Sequence, residues 1–383
     1  MPERRDRRRV HRSAPVRKGM TTRPESPTGK SKKDLTMASP IPGLSTVPRK
    51  ILAFVATSFL VGILMSPSHA ASAETLTLYS GQHPQVVRML TDAFTKATGI
   101  AVRIHSGEGP QIANQILREG KGSPADIVFV ENSPELVLLN GRHLLAPVAP
   151  TTLARVPRRD SAPDGDWLGV LARQNVLAWN PSLIKQENLP HTLAALAEPK
   201  WKGKVAIAPS DADFLPVVGA MIATEGQAKT LAWLEGLRRN AAIYQDDEGV
   251  VAAVNRGSVA TGIINNYYWA RLHTELGAAH TSSRIAHFAP GDTGNLINVS
   301  GAAVLASSHH KKAAQRFLAF LVSRQAQEML AKSSVDYEYP LVTGVAPNPL
   351  LTPVAELHAP QITPSALGDD RKAAALLQRA GLV

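Results

Sequence analysis

Residues 75–105 read TLTLYSGQHPQVVRMLTDAFTKATGIAVRIH, and this stretch decides the predicted fold. Residues 75–80 alternate between polar and apolar side chains, which predicts a strand. Pro84 then stands at a favourable first helical position, and apolar residues recur at helical spacing until Gly99. Residues 100–105 predict a second strand. A strand, a helix and a strand in this order predict a parallel βαβ unit.

The same order of elements continues along the chain. A short helix over residues 110–119 precedes the apolar run ADIVFV (125–130), which predicts a buried strand, and a helix start follows at Ser133. A second block repeats this pattern, with Asp213 as a plausible N-cap. Its predicted strands are 204–208 and 259–265, and its predicted helices are 213–226, 228–239 and 267–277. This alternation predicts mostly parallel sheets with helices on both faces.

Two longer segments, 168–180 and 295–308, predict strands that cross between the two blocks. One long helix is predicted over 311–333, and another helix closes the chain. We therefore predict an α/β fold of two lobes, each a mixed, mostly parallel sheet flanked by helices, joined by the crossover strands. The approximate predicted lobes are 74–172 with 300–348, and 173–299 with 349–383.

Residues 1–73 have the order of a basic leader followed by a secretory signal peptide. The basic residues end at Lys50, and the apolar run ILAFVATSFLVGILM (51–65) follows. Small residues then offer signal cleavage sites after Ala70 and after Ala73. The apolar run is shorter than the ~20 residues that a permanent membrane-spanning helix needs. We expect export across the cytoplasmic membrane, with an uncleaved membrane anchor as the alternative.

Charge and cysteine content exclude several kinds of partner and site. The leader holds 14 basic and 4 acidic residues, so the remaining chain holds 42−14 = 28 basic and 31−4 = 27 acidic residues. The sequence pI of about 9.9 therefore reflects the leader, and we expect no nucleic-acid partner. The chain has no cysteine, which excludes disulfides, thiolate metal ligands and a lipid on an N-terminal cysteine. A soluble, monomeric protein of the periplasm is the expected form.

Polar side chains follow four of the predicted strands, where an open α/β sheet binds its ligands. They are His83, then Glu131 and Asn132, then Ser210, Asp211 and Asp213, and finally Asn266, Tyr267 and Tyr268. Each residue alone has a structural explanation: His83 caps a helix, Glu131 pairs with a base, and adjacent tyrosines point to opposite faces. Together they predict one binding site at the strand ends.

The chemistry of these side chains indicates a hard metal ion. The sequence contains no H-E-x-x-H, P-loop, dinucleotide or G-x-S-x-G motif. Phenol has a pKa of ~10, but a highly charged cation lowers it, and oxygen donors with one imidazole suit a hard ion. One carboxylate and two phenolates together carry three negative charges. Ferric iron is the common biological ion that this set neutralises.

At these positions the chain resembles the periplasmic ferric-ion-binding proteins, the substrate-binding components of ATP-driven iron importers. The similar stretches are LTLYSGQHPQ (76–85), GSPADIVFVENSP (122–134), PKWKGKVAIAPSDADF (199–214), INNYYWA (264–270) and SGAAVLASS (300–308). The resemblance implies a type II-like two-lobe binding-protein fold that closes on a cleft. It also implies ferric-ion ligands from both lobes, namely His83, Glu131, Tyr267 and Tyr268. The family's amides, here Asn132 and Asn265, contact a synergistic anion such as phosphate or carbonate.

One departure from the family concerns this anion. Loops that in the family often carry small or amide residues carry carboxylates here, at Asp211, Asp213 and Asp247. We hypothesise that Asp211 or Asp213 replaces the exogenous anion, or that the site takes iron without one. The alternative is that Asp213 is only an N-cap and Asp211 points to solvent. The candidate anion-binding or substitute residues are Asn132, Asn265, Ser210, Asp211, Asp213 and Asp247.

The predicted function is capture of ferric iron in the interlobe cleft and delivery to an inner-membrane permease of an ATP-driven importer, without enzymatic activity. A binding protein of the same architecture for a cationic or phosphorylated organic ligand, such as a polyamine, thiamine or a phosphonate, is the first alternative. A metal-dependent enzyme is the second, because Glu131 or Asp211 could serve as a general base beside an open coordination position.

Overall fold

A computed structural model describes residues 74–383, and the predicted leader and signal peptide lie outside these described residues. The strands are β1 Thr75–Gly81, β2 Ala101–Ser106, β3 Ile127–Val130, β4 Leu145–Ala146, β5 Leu168–Trp179, β6 Val205–Ile207, β7 Ala241–Ile243, β8 Thr261–Asn265, β9 Arg284–Ala286, β10 Ile297–Leu305 and β11 Tyr339–Pro340. The α-helices are α1 Pro84–Thr98, α2 Gly109–Glu119, α3 Ser133–Asn140, α4 Pro150–Leu153, α5 Phe214–Glu225, α6 Gln227–Asn240, α7 Asp247–Asn255, α8 Asn266–Leu276, α9 Lys311–Leu321, α10 Arg324–Ala331, α11 Pro364–Leu367 and α12 Arg371–Ala380. Across this part of the chain, no helix has the length and apolar character needed to span a membrane.

The strands follow the order β2-β1-β3-β10-β5-β8-β6-β7. In the first half β1 pairs in parallel with β2 and β3, and in the second half β6 pairs in parallel with β7 and β8. The long strand β5 joins the halves, because its first part pairs antiparallel with β10 and its residues 175–179 pair antiparallel with β8. The predicted mixed α/β fold with crossover strands is confirmed. The predicted lobe boundaries stay predictions.

Apolar clusters lie on either side of this junction. In the first half Phe94 of α1 meets Phe317 of α9 edge-on, with ring centroids 5.0 Å apart. In the second half Phe214 of α5 stacks on Trp233 of α6. Every residue of β5 is buried, as a strand covered on both faces requires. Each half therefore packs its helices on its own sheet and holds its strand ends in place.

The predicted single helix over 311–333 is wrong. The structure ends α9 at Leu321 and starts α10 at Arg324. Between them Ser323 adopts an extended conformation, and its hydroxyl accepts a hydrogen bond from the Ala326 amide at 3.2 Å. The apolar spacing continues through this break, so periodicity alone did not reveal the new N-cap.

Four helices follow four strands along the chain and so point their N-termini at one region. These helices are α1 after β1, α3 after β3, α5 after β6, and α8 after β8. Helix N-termini present free backbone N–H groups and a partial positive charge. The side chains that the sequence analysis singled out stand at these four junctions, except Asp247, which begins α7.

Candidate metal centre

His83 and Glu131 come from the ends of two paired strands. His83 precedes Pro84 at the start of α1, and Glu131 follows β3. The Glu131 amide donates to the Gly81 carbonyl at 3.2 Å, which holds the two strand ends side by side. As a result His83 Nε2 and Glu131 Oε1 are 3.4 Å apart, with only 15% and 20% of the side chains exposed.

Tyr267 and Tyr268 lie in the first turn of α8, with ring centroids 4.1 Å apart. Because the backbone is helical here, the rings stay together rather than pointing to opposite faces as they would in a strand. Tyr267 is buried, and its ring meets the His83 ring edge-on at 4.9 Å. The structure therefore brings the imidazole from the first half of the sheet against a phenol from the second half.

Asp213 is more than an N-cap. It occupies the N-cap position of α5, but its side chain makes no capping hydrogen bond. One carboxylate oxygen, Oδ2, accepts from the Tyr267 hydroxyl at 2.7 Å, and the other, Oδ1, accepts from Arg173 at 2.9 Å. The explanation of Asp213 as only an N-cap is therefore wrong, because its carboxylate is bonded to a proposed metal ligand.

Asp211 and Asp247 hold the neighbouring loops together. Asp211 accepts from the backbone amides of Asp213 at 3.0 Å and Asp247 at 3.1 Å, so it does not simply point to solvent. Asp247, in α7, accepts from the Asn265 amide at 3.1 Å. Ser210 is exposed and donates to a backbone carbonyl, that of Gln245. These contacts link the loop after β6, the start of α7 and the end of β8.

A cleft of about 650 Å³ opens over these residues. Its lining includes His83, Glu131, Ser210, Asp211 and Tyr268. The remaining candidates, Asn132, Asn265, Asp213, Asp247 and Tyr267, are buried behind this wall. The structure thus brings all the predicted site residues into one region, with some in the cleft and others beneath its surface.

Burial controls the ionisation of the candidate ligands. It raises the pKa of Tyr267 and of Tyr268, and the Asp213 carboxylate raises the pKa of both phenols further. Burial also raises the pKa of Glu131 well above its ordinary value and lowers the pKa of the His83 imidazole to about 3. At neutral pH the imidazole is therefore neutral, and the phenols keep their protons until a cation displaces them.

The aspartates behave differently from one another. Burial by itself would raise the pKa of Asp213, but the Arg173 guanidinium and the Tyr267 hydrogen bond outweigh it and hold this pKa below its ordinary value. Burial raises the pKa of Asp211 to about 6, and it raises the pKa of Asp247 well above the ordinary range. Asp213 is therefore the aspartate of this group that stays fully ionised at neutral pH.

Comparison with known proteins identifies the family of this chain. The family described as bacterial extracellular solute-binding protein matches residues 89–359. The chain belongs to this family. A Fe(3+)-binding periplasmic protein of Serratia marcescens is 37% identical over 317 residues, covering 82% of this chain and 93% of the relative. A major ferric iron-binding protein of Neisseria meningitidis is 36% identical, covering 80% of this chain and 93% of the relative.

A solved structure agrees with these sequence relatives. The structure of iron-bound HitA from Pseudomonas aeruginosa is 41% identical and superposes with a TM-score of 0.77, covering 80% of this chain and 99% of HitA. The resemblance of this solute-binding protein to the periplasmic ferric-ion-binding proteins is confirmed, and so is its two-lobe binding-protein fold.

A metal site among these residues of the solute-binding protein would need the phenols. Within residues 74–383, no group of three or more His, Cys, Asp and Glu side chains is arranged to hold a metal ion. The Tyr267 hydroxyl is instead hydrogen-bonded to Asp213 Oδ2 at 2.7 Å, so a phenol and a carboxylate lie in direct contact. Phenol and carboxylate oxygens of this kind are the donors that a hard ion takes.

The sequence analysis missed Arg173 and Glu338, which lie beside the candidate ligands. Both side chains are buried and form an ion pair at 3.3 Å. A signal for Arg173 was present, because it stands in the middle of LGVLARQNVLAW, a strand buried on both faces. A charged residue at such a position needs a buried partner. Nothing in the sequence identified that partner as Glu338 or Asp213.

Proposed function

We propose that this protein binds ferric iron through His83, Glu131, Tyr267 and Tyr268 and delivers it to the inner-membrane permease of an ATP-driven importer. The observation that carries the proposal is the convergence of an imidazole, a carboxylate and two adjacent phenols at the ends of β1, β3 and β8. The similar proteins of Serratia, Neisseria and Pseudomonas are themselves named for ferric iron or solved with iron bound. We further propose that the protein acts as a monomer in the periplasm, without enzymatic activity and without a nucleic-acid partner.

The charge of the donors favours a trivalent ion. Ionised Glu131, Tyr267 and Tyr268 sum to −3, and the raised pKa values of the two phenols mean that only a strongly polarising cation displaces their protons. A neutral His83 adds a nitrogen donor without charge. A polyamine or thiamine would meet these phenols in their protonated form, so it would not draw on the negative charge that the pair can supply.

We propose that Asp213 takes the position of the synergistic anion. Both amides that would contact such an anion are turned toward this carboxylate. Asn132 Nδ2 lies 3.4 Å from Asp213 Oδ1, and the Asn265 side chain hydrogen-bonds to Asp213. Asp211 is less suited to this role, because both of its oxygens accept backbone amides. Iron binding would then need neither phosphate nor carbonate.

Binding and closure are coupled in this proposal. His83 and Glu131 belong to the proposed first lobe and the tyrosines to the second, so all four reach one ion only when the lobes are shut. The ion therefore shifts the open–closed equilibrium by its differential affinity for the closed form. The closed form is what the permease would recognise.

A visible-absorbance titration tests the function. Ferric ion is supplied to the purified protein as a weak chelate, and we expect a broad phenolate-to-iron charge-transfer band that saturates at one iron per chain. Parallel titrations with zinc, thiamine and spermidine give no visible band. A protein that stays colourless with iron but binds one of the organic cations in calorimetry would overturn the proposal.

A further inference from the structure

Arg173 stands at the point where the two halves of the sheet meet. It faces Asn298 of β10 across the sheet, and β5 exchanges β10 for β8 as its partner just beyond it, between Gln174 and Asn175. The Arg173 side chain is completely buried. A buried guanidinium costs desolvation free energy, so its hydrogen-bond partners indicate what it stabilises.

The guanidinium contacts both sides of the metal centre. Toward the first half, Nη1 donates to the Glu131 carbonyl at 2.5 Å and Nη2 donates to Asn132 Oδ1 at 2.6 Å. Toward the second half, Nη2 donates to Asp213 Oδ1 at 2.9 Å. Asp213 in turn holds the Tyr267 hydroxyl. One side chain thus bridges the backbone of one proposed ligand and the partner of another.

The same guanidinium also bonds to two buried side chains that are not proposed ligands. Nη1 donates to Ser300 Oγ at 2.9 Å and to Glu338 Oε1 at 3.3 Å. Gln82 donates from Nε2 to both of these residues and accepts the His83 amide at 2.7 Å through Oε1. The network therefore extends to the segment that carries the third proposed ligand, His83.

We propose that Arg173, anchored by Glu338, is a positioning residue that sets the spacing between the ligands of the two halves. This inference rests on the proposed iron-binding function and extends it to residues that do not touch the ion. The planar fork of arginine is required, because it donates to Glu131, Asn132 and Asp213 at once in fixed directions. Lysine carries the same charge but has no such fork.

Two variants and one control test the proposal in the full protein. Arg173→Lys removes the fork, and Glu338→Gln weakens the anchor without changing Arg173 or any proposed ligand. Asn240→Ala is the control. This buried side chain donates to the Leu196 and Glu198 carbonyls in the second half of the molecule and, within the described residues, has no bond to the Arg173 network. The readouts are the position of the visible iron band, the rate of iron release to a competing chelator, and the melting temperature without iron.

We expect Arg173→Lys and Glu338→Gln to shift the band and to accelerate iron release by about 10- to 100-fold, as loss of a supporting partner does at other metal sites. Asn240→Ala should lower only the melting temperature. A purely structural Arg173 would leave band and release unchanged in both variants, which would overturn the inference. If Arg173→Lys does not fold, Glu338→Gln decides alone. An unmodified protein that gives no visible band with iron would overturn the proposed function itself. Variants with the same band and release rate as the unmodified protein would overturn only the role of Arg173.

Discussion

The two sides of the metal centre are built by different means. On the first side, His83 and Glu131 are partly exposed and are set by the pairing of β1 with β3, through the bond from the Glu131 amide to Gly81. On the second side, Tyr267 is buried and bonded to Asp213, which Arg173 holds in turn. Strand register sets the first pair of ligands and the Arg173 network supports their backbone, whereas on the second side the network bonds to a ligand side chain. Substitutions on the second side should therefore disturb more of the site.

The largest effect is expected from the phenols. Tyr267→Phe and Tyr268→Phe each remove a charged ligand, so we expect loss of most of the visible band and a fall in iron affinity beyond ~100-fold. An absorbance titration with a competing chelator measures both. Tyr79→Phe is the matched control, because this buried tyrosine bonds to Glu119, outside the centre. A band of full intensity in Tyr267→Phe would remove the phenol from the ligand set.

Asp213→Asn tests the network on the second side. The amide keeps the shape of the carboxylate but removes its charge, so we expect iron affinity to fall by about 10- to 100-fold. Affinity should then partly recover on addition of phosphate or carbonate. Asp211→Asn, measured in the same buffers, should change affinity much less, because Asp211 bonds backbone amides. Strict dependence of the unmodified protein on either anion would contradict the proposal for Asp213.

Glu131→Gln tests the first side of the comparison. The substitution removes one negative ligand and leaves both phenols in place, so we expect about 10-fold weaker binding with the visible band retained. Tyr267→Phe should lose both the visible band and iron affinity, whereas Glu131→Gln should lose affinity and keep the band. Equilibrium competition and the absorbance spectrum together measure the two quantities. A Glu131→Gln protein that loses its colour would contradict the expectation that the phenols alone give the visible band.

The smallest expected effect concerns pH and the iron-free protein. Burial lowers the pKa of His83 to about 3, below its ordinary value of 6.5, so folding favours the neutral imidazole. This contribution to the free energy of unfolding is present above pH 6.5 and is lost as the pH falls toward 3. Denaturant unfolding between pH 7 and pH 4 should therefore show a shallower loss of stability in His83→Asn. Parallel curves for the two proteins would mean that the imidazole is not desolvated.

Part of the site could be predicted from the sequence, because strand ends gather ligands in any open α/β sheet. His83, Glu131 and the tyrosine pair each follow a predicted strand, and the structure brings them together. Helix α7 was not predicted, although it places Asp247 under the cleft. Its start depends on Asp246 accepting the Gly249 amide, a local bond that an acidic run does not specify by itself.

From the sequence alone came the main alternation of strands and helices, the residue types at the strand ends and the prediction of a hard ion from the phenol pair. These properties depend on local periodicity and on intrinsic side-chain chemistry. Only the tertiary structure decided that Asp213 faces Tyr267, that Asp211 serves the backbone, and that Arg173 joins both sides. Buried charges select their partners among residues that are distant in sequence, and the packing of both halves around β5 determines which of those residues are within reach.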